Sequence, residues 1–266
     1  MSFTHLLLVG LGVGVTTVLF GFGGGFVTVP VITLIDASLG GDAVRVATAT
    51  SALVMLVNAI VATAATSRPV LARLGGRRAL FALLAIGGAA GAAASRFAPA
   101  EILTWGFVAY IVITIVDLVA RPGFLRPRVH PLVENAQPTS GGVPDWLGFP
   151  IGAVAAFLGV GGSVMTVPMM RRAGASMQIA AALANPLTLA IVLPALIVSL
   201  FTSGALPHTA GLIGSVDVVS ATALLLTSIP VVILLRRRPP RIPDRIHSWT
   251  YVALLATAAT TVAIAG

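Results

Sequence analysis

Apolar runs of helical length recur along this chain at about residues 43–66, 79–95, 100–120, 177–202, 216–235 and 246–265. Roughly 20 such residues suffice to cross the hydrocarbon core of a bilayer, so each run predicts a crossing helix. Two more apolar stretches, 5–35 and 146–170, carry their own interruption. The first contains GFGGGFVTVP, from Gly21 to Pro30, and the second GVGGSVMTVP, from Gly159 to Pro168. Glycine costs about 1 kcal/mol relative to alanine inside a helix, and proline about 3 kcal/mol. Both stretches therefore predict broken helices. The runs are continuous and do not alternate over ten residues, which separates them from the strands of an outer-membrane barrel. The fold class that follows is an all-α integral membrane protein.

Composition agrees and narrows the chemistry. Of 266 residues, 57% are hydrophobic and only 9% charged, against roughly one-quarter charged in soluble domains. All sixteen basic residues are arginine, which excludes a Walker A loop or a Schiff-base lysine. The chain has no cysteine, which excludes disulfides, thiolate nucleophiles and thiolate metal ligands. His5, His130, His208 and His247 fall at segment ends or in loops without ligand spacing, so they read as interfacial histidines and no metal site is expected. No nucleophile, acid pair or metal cluster lies deep in a crossing. The chain is therefore expected to be no enzyme and to need no cofactor. The first 25 residues lack a basic region and a small-residue cleavage site and read as mature protein.

The net charge of +8 suggests nucleic acid or an acidic partner until its distribution is considered. Arg68, Arg73, Arg77 and Arg78 share one loop, Arg121, Arg126 and Arg128 a second, Arg171 and Arg172 a third, and Arg236, Arg237, Arg238, Arg241 and Arg245 a fourth. The positive-inside rule places all four in the cytoplasm and leaves nucleic acid out of the picture. Two crossings separate the first loop from the second, and two more separate the third from the fourth. Segment 146–170 lies between the second and third, so it has to enter and return. By this topology fourteen of the sixteen arginines lie inside, leaving only Arg45 and Arg96 outside.

The two interrupted stretches match at a constant offset, and the similarity extends beyond them. GGRRALFALLA from Gly75 aligns with GSVDVVSATAL from Gly214, and PAEILTWGFVAY from Pro99 with PDRIHSWTYVAL from Pro243. Each half is then a re-entrant hairpin followed by three crossings. Three is odd, so the second half lies inverted relative to the first. The predicted organisation is a first repeat at 1–120, a cytoplasmic linker at 121–145 and a second, inverted repeat at 146–266. Inverted repeats with paired broken segments characterise secondary transporters, whose sites lie near the midplane between the repeats.

GFGGGFVTVP with its copy GVGGSVMTVP, the small polar VATATSALV that follows the first, and eight apolar segments in about 260 residues resemble the TauE/SafE family of sulfite and organosulfonate exporters. The resemblance covers nearly the whole chain. It implies a multi-pass permease of the inner (plasma) membrane for small sulfur-containing anions. The chain departs from the first motif in its second copy, where Ser163 stands in place of Gly25, and Ala184 and Asn185 stand where the first half has Thr50 and Ser51.

A helix that ends within the membrane exposes backbone N–H groups without partners, and with the positive end of the dipole these can hold an oxyanion without a buried cation. The candidate substrate-binding residues are therefore Gly23, Gly24, Gly25, Thr28, Thr50 and Ser51 in the first half and Gly161, Gly162, Ser163, Thr166 and Asn185 in the second. Pro30 and Pro168 are the candidate helix breakers. The competing reading of the glycines is close helix packing at small-xxx-small spacing. Asp117 and Asp217 are the acids a coupling proton would use. Their alternatives are an i, i+4 ion pair of Asp117 with Arg121 and a first-turn charge at Asp217. Asn185 before Pro186 also suits a backbone-satisfying kink. Trp105, Trp249 and Tyr251 read as belt or packing residues. Functionally the expectation is an exporter working by alternating access, with an anion channel or a non-transporting membrane subunit as alternatives. Its partners are a small anionic solute, the lipid bilayer and, as coupling ion, protons. The oligomeric state is open, a homodimer included.

Overall fold

A computed structural model describes residues 3–35, 43–125, 143–201 and 212–265. Eleven α-helices occur among them. In chain order they are α1 (Phe3–Phe20), α2 (Gly25–Ile35), α3 (Ala43–Ala64), the one-turn α4 (Arg68–Leu71), α5 (Arg78–Ser95), α6 (Ala100–Ala120), α7 (Gly148–Leu158), α8 (Ser163–Arg172), α9 (Met177–Phe201), α10 (Val218–Arg237) and α11 (Asp244–Ala265). Five of them, α3, α5, α6, α9 and α10, are long and apolar enough to cross a membrane. They fall on the apolar runs read from the sequence. α11 is of comparable length, 22 residues, and its Thr257, Thr260 and Thr261 each turn a hydroxyl back onto a carbonyl of the preceding turn.

The interrupted stretches divide as the glycines predict. α2, α7 and α8 have 11, 11 and 10 residues, about 15–17 Å each at 1.5 Å per residue, and so reach only about half-way through a hydrocarbon core. The helices run on past both prolines, to Ile35 and to Arg172. The interruptions are thus made by glycine, and Pro30 and Pro168 lie inside the half-helices.

α1 packs along α10 and α7 along α5; α3 packs on α9, α6 on α11, α2 on α3 and α8 on α9. Small residues allow the closest of these approaches. A Cβ at Gly87 or Gly91 of α5 would lie 2.2 Å from the carbonyl oxygen of Phe149 or 2.1 Å from that of Ala153 in α7. α6 turns Ile102, Trp105, Val112, Ile113, Val116 and Val119 outward, an apolar face that needs lipid or another apolar partner.

Two features depart from the sequence reading. A two-stranded turn, β1 (Leu212–Ile213) against β2 (Val216–Asp217), precedes α10, so that helix starts at Val218 and not at 216. Asp217 ends the run because it caps the helix, its carboxylate accepting from Ser220 N–H at 3.0 Å. Arg171 and Arg172 do not sit in a solvated loop; they form the last turn of α8. Arg171 is fully buried. It lies 2.7 Å from Asp244 and donates to Phe124 O at 2.8 Å and Ser248 Oγ at 3.1 Å. Burial of this charge is tolerable because an anion and carbonyl acceptors surround it.

Further ion pairs join the same loops. Arg77 donates to Asp145 at 2.8 Å, and Arg172 to Asp117 at 2.6 Å. Asp117 also holds Arg121 at 3.1 Å, the i, i+4 pair read from the sequence. Arg77 thus ties the loop before α5 to the segment before α7, and Asp117 ties the end of α6 to the end of α8. Most of the linker, 126–142, lies outside the described residues, as do Asp36, Asp42, His130 and His208.

Candidate anion site at the paired glycine breaks

Each break is a short run of backbone that only glycine adopts readily. Gly21, Gly23 and Gly24 have φ of 73°, 64° and 100°, and Gly159 and Gly161 have 70° and 71°. This positive-φ region costs other L-residues about 1–2 kcal/mol. Gly162 and Ser163 have left it: Gly162 is the N-cap of α8, with φ −78° and no capping side chain. A serine thus stands at position 163 without strain.

The two breaks come together. A Cβ placed on Gly23 would lie 3.3 Å from Met55 and 3.4 Å from the Thr188 methyl; one on Gly161 would lie 3.0 Å from the Met55 sulfur, 3.3 Å from the same methyl and 3.7 Å from Phe22 O. At its first glycine each break meets a helix of the other half of the chain, while the later glycines of the first break face α3 of their own half. Gly21 rests on Ala181 and Ala184 of α9, and Gly159 on Thr48 of α3. Ser51 donates to Gly159 O at 3.0 Å, and a Cβ on Gly25 would lie 2.9 Å from Ser51 Oγ. The packing reading and the conformational reading of these glycines therefore both describe real constraints.

The polar groups of the two halves differ in what they already bond. In the first half, Thr28 donates to Gly24 O at 2.9 Å, and Thr50 accepts from Asp217 N–H at 2.9 Å. Asn58 donates to Gly23 O at 3.4 Å and accepts from Ser228 at 3.0 Å. In the second half, Ser163, Thr166, Asn185 and Thr188 are all fully buried. Their Oγ, Oγ1, Oδ1 and Oγ1 atoms have no partner among the described residues. Asn185 uses only its amide nitrogen, donating to Ala181 O at 2.9 Å. An unsatisfied buried polar atom costs about 1–3 kcal/mol, so four of them on the packed pair α8 and α9 make this region the candidate for a polar ligand.

Aromatic rings close the second break on one side. Phe22 stacks on Phe26 with centroids 5.0 Å apart, and Tyr251 lies 5.0 Å from Phe22. The Tyr251 hydroxyl sits 3.4 Å from both Ser163 O and Val164 O, the latter being the carbonyl that Pro168 leaves without a helical donor. Tyr251 is thus wholly internal and not a belt residue. His247 is likewise buried, donating from Nε2 to Leu19 O at 2.7 Å where α1 ends. Its neighbour in sequence, Trp249, is half exposed, as a lipid-facing residue would be.

A cavity of about 1020 Å³ opens beside the first break, between the end of α1, the start of α9 and the α10–α11 connection. Arg236, Arg238, Arg241, Thr66 and Gln178 are among its lining residues, with Leu19 and Ala182 on the wall towards the break. Nε and one terminal nitrogen of Arg236 are buried there without a partner. Asp117 and Asp217 lie away from it, engaged as described above.

Sequence reasoning missed Met55, Asn58 and Tyr251. Asn58 had a readable signal, since Ser51, Met55 and Asn58 share one face of α3 at i, i+4, i+7; Met55 had none. A family model described as sulfite exporter TauE/SafE matches residues 6–262. No curated protein and no solved structure matches the chain.

Proposed function

The chain belongs to the TauE/SafE sulfite exporter family, and on that premise we propose that it is a secondary transporter that exports small sulfur-containing anions, sulfite or an organosulfonate, by alternating access. In this reading residues 1–120 and 146–266 are inverted repeats joined by a linker at 121–145. α1–α2 and α7–α8 are re-entrant pairs whose tips enclose the anion. The arginine-rich face is cytoplasmic, and the membrane is the inner, plasma membrane.

The observation that carries the proposal is the meeting of the two glycine breaks on Met55 and Thr188. Irregular backbone at membrane depth is tolerated where it is buried in protein or lines a cavity, and an uncapped helix start offers N–H donors to an oxyanion. Exchange of the halves supports a two-fold repeat of the elements. It turns the α1–α10 contact into α7–α5 and leaves α3–α9 and α6–α11 as they are. The arginine-lined cavity supports an opening towards the cytoplasm, because fixed cations in a cleft raise the local anion concentration.

Reconstitution tests this. Purified protein in proteoliposomes takes up labelled sulfite saturably, and sulfite on the far side accelerates the exchange. Arg236→Gln raises KM several-fold with little change in maximal rate, the signature of lost binding that is uniform through the cycle. Folded protein that moves no sulfur anion overturns the proposal.

A further inference from the structure

We infer that the site takes its anion in singly protonated form, as hydrogen sulfite, and that Asn185 reads the proton. The inference rests on the transport reading and narrows its substrate class. Its starting point is the difference in hydrogen-bonding capacity among the four unpartnered atoms. The hydroxyls of Ser163, Thr166 and Thr188 can each donate or accept. The free atom of Asn185 is a carbonyl oxygen, which only accepts. Its orientation is fixed by the amide nitrogen, which donates to Ala181 O; turned over, two oxygens would face each other.

These atoms lie on two helices that pack against each other. Ser163 and Thr166 are three residues apart on α8, and Asn185 and Thr188 three apart on α9, so each pair shares a helix face. α8 and α9 pack on one another, and the Thr188 methyl touches both breaks. The start of α8 carries the positive end of its dipole and free N–H donors, which select negative charge. The anion that satisfies this whole set offers oxygen acceptors to the hydroxyls and N–H groups and one O–H donor to Asn185. Hydrogen sulfite has that pattern. The sulfite dianion, sulfate and alkylsulfonates present acceptors alone, and their lone pairs would face the Asn185 carbonyl.

The same assignment gives a coupled proton its carrier. Among the described residues, Asp117, Asp145 and Asp244 are held by arginines, Asp217 caps α10, and Glu101 is exposed in the first turn of α6. None is a free acid at the breaks. Of the titratable or charged side chains on elements packed around α9, Tyr251 reaches the second break through its hydroxyl, and His247 reaches the end of α1 before the first break through Nε2 on Leu19 O. His5, Arg45, Arg68, Arg78, Arg171, Arg172, Asp244, Arg245 and His247 all lie in first or last turns. With no free acid at the breaks among the described residues, and with the His247 imidazole engaged on Leu19 O, the proton crosses bound to the anion.

The test uses the full chain in proteoliposomes, with protein-free vesicles as the leak control. Initial sulfite flux at fixed total concentration falls from mildly acidic to mildly alkaline pH, following the hydrogen sulfite fraction. Methanesulfonate and sulfate compete at least about tenfold more weakly than sulfite at acidic pH, since a site built for a solute O–H rejects analogues lacking it. Asn185→Leu brings sulfite and methanesulfonate within about threefold of each other, whereas Thr166→Val weakens both alike and keeps their ratio. Ligand-induced thermal shift in detergent gives the same ratios should a variant bind without transporting. Flux that is present but indifferent to pH, or a ratio that Asn185→Leu leaves intact, overturns this inference alone; absence of any sulfur-anion flux overturns the transport reading with it.

Discussion

Two glycine-to-alanine substitutions nine residues apart should act in opposite directions. At Gly21 the φ of 73° costs alanine about 1–2 kcal/mol. The new Cβ would lie 2.6 Å from Ala181 O and 2.8 Å from the Ala184 Cβ. Neither neighbour is the end of a flexible chain, so one backbone segment must move, and overpacking of this kind costs about 1–3 kcal/mol. The expected destabilisation is therefore about 2–5 kcal/mol. Gly12 lies inside α1, and a Cβ there meets nothing within 4 Å. Alanine at that position gains about 0.5–1 kcal/mol from helix propensity. The two variants should differ by at least about 2.5 kcal/mol in detergent unfolding, with Gly21→Ala below the parent and Gly12→Ala above it. Ala181 O also accepts the Asn185 amide, so Gly21→Ala should cut sulfite flux as well. Equal unfolding midpoints, or a Gly21→Ala protein more stable than Gly12→Ala, would refute the account of the break as a strained seat that only glycine fits.

Asp244→Asn should destabilise the protein by about 3 kcal/mol, the low end of the cost of breaking a buried pair, because it leaves the fully buried Arg171 with neutral partners only; Arg171→Met should cost less, since Asp244 is 37% exposed and keeps water. Comparative unfolding of the two variants checks the order. The chain is free of cysteine, so Ser67→Cys and Ser176→Cys should react with an impermeant maleimide from the cytoplasmic side and Glu101→Cys from the opposite side. Labelling of 67 and 176 from different sides would refute the shared arginine face.

The long helices were legible because an unbroken apolar run of about 20 residues has few other uses. The breaks were legible for the converse reason, since glycine clusters inside such runs are costly unless they serve a turn. Asp217 was visible as a first-turn charge, though not the short strand pair before it, which depends on a turn at Gly214. What the chain did not disclose is which polar groups meet. Arg171 reads as a solvated charge until Asp244, Ser248 and Phe124, distant in sequence, are folded around it. His247 reads as interfacial for the same reason, with Leu19 O nowhere near it along the chain. The contrast between the bonded Thr28, Ser51 and Asn58 and the unpartnered Ser163, Thr166 and Thr188 is likewise invisible in composition, because the residue types are nearly the same.

The seat of Gly21 also bears on how the protein is made. Ala181, against which this glycine packs, is synthesised 160 residues later, about 8–30 s at ordinary rates of translation. For that interval the first break has no α9 to cover it, and uncovered backbone is poorly tolerated in lipid. The amino-terminal half must therefore be kept by the insertion machinery, or by water at the interface, until the second half arrives. The seat of Gly21 is complete only once the late half of the chain packs against the early one.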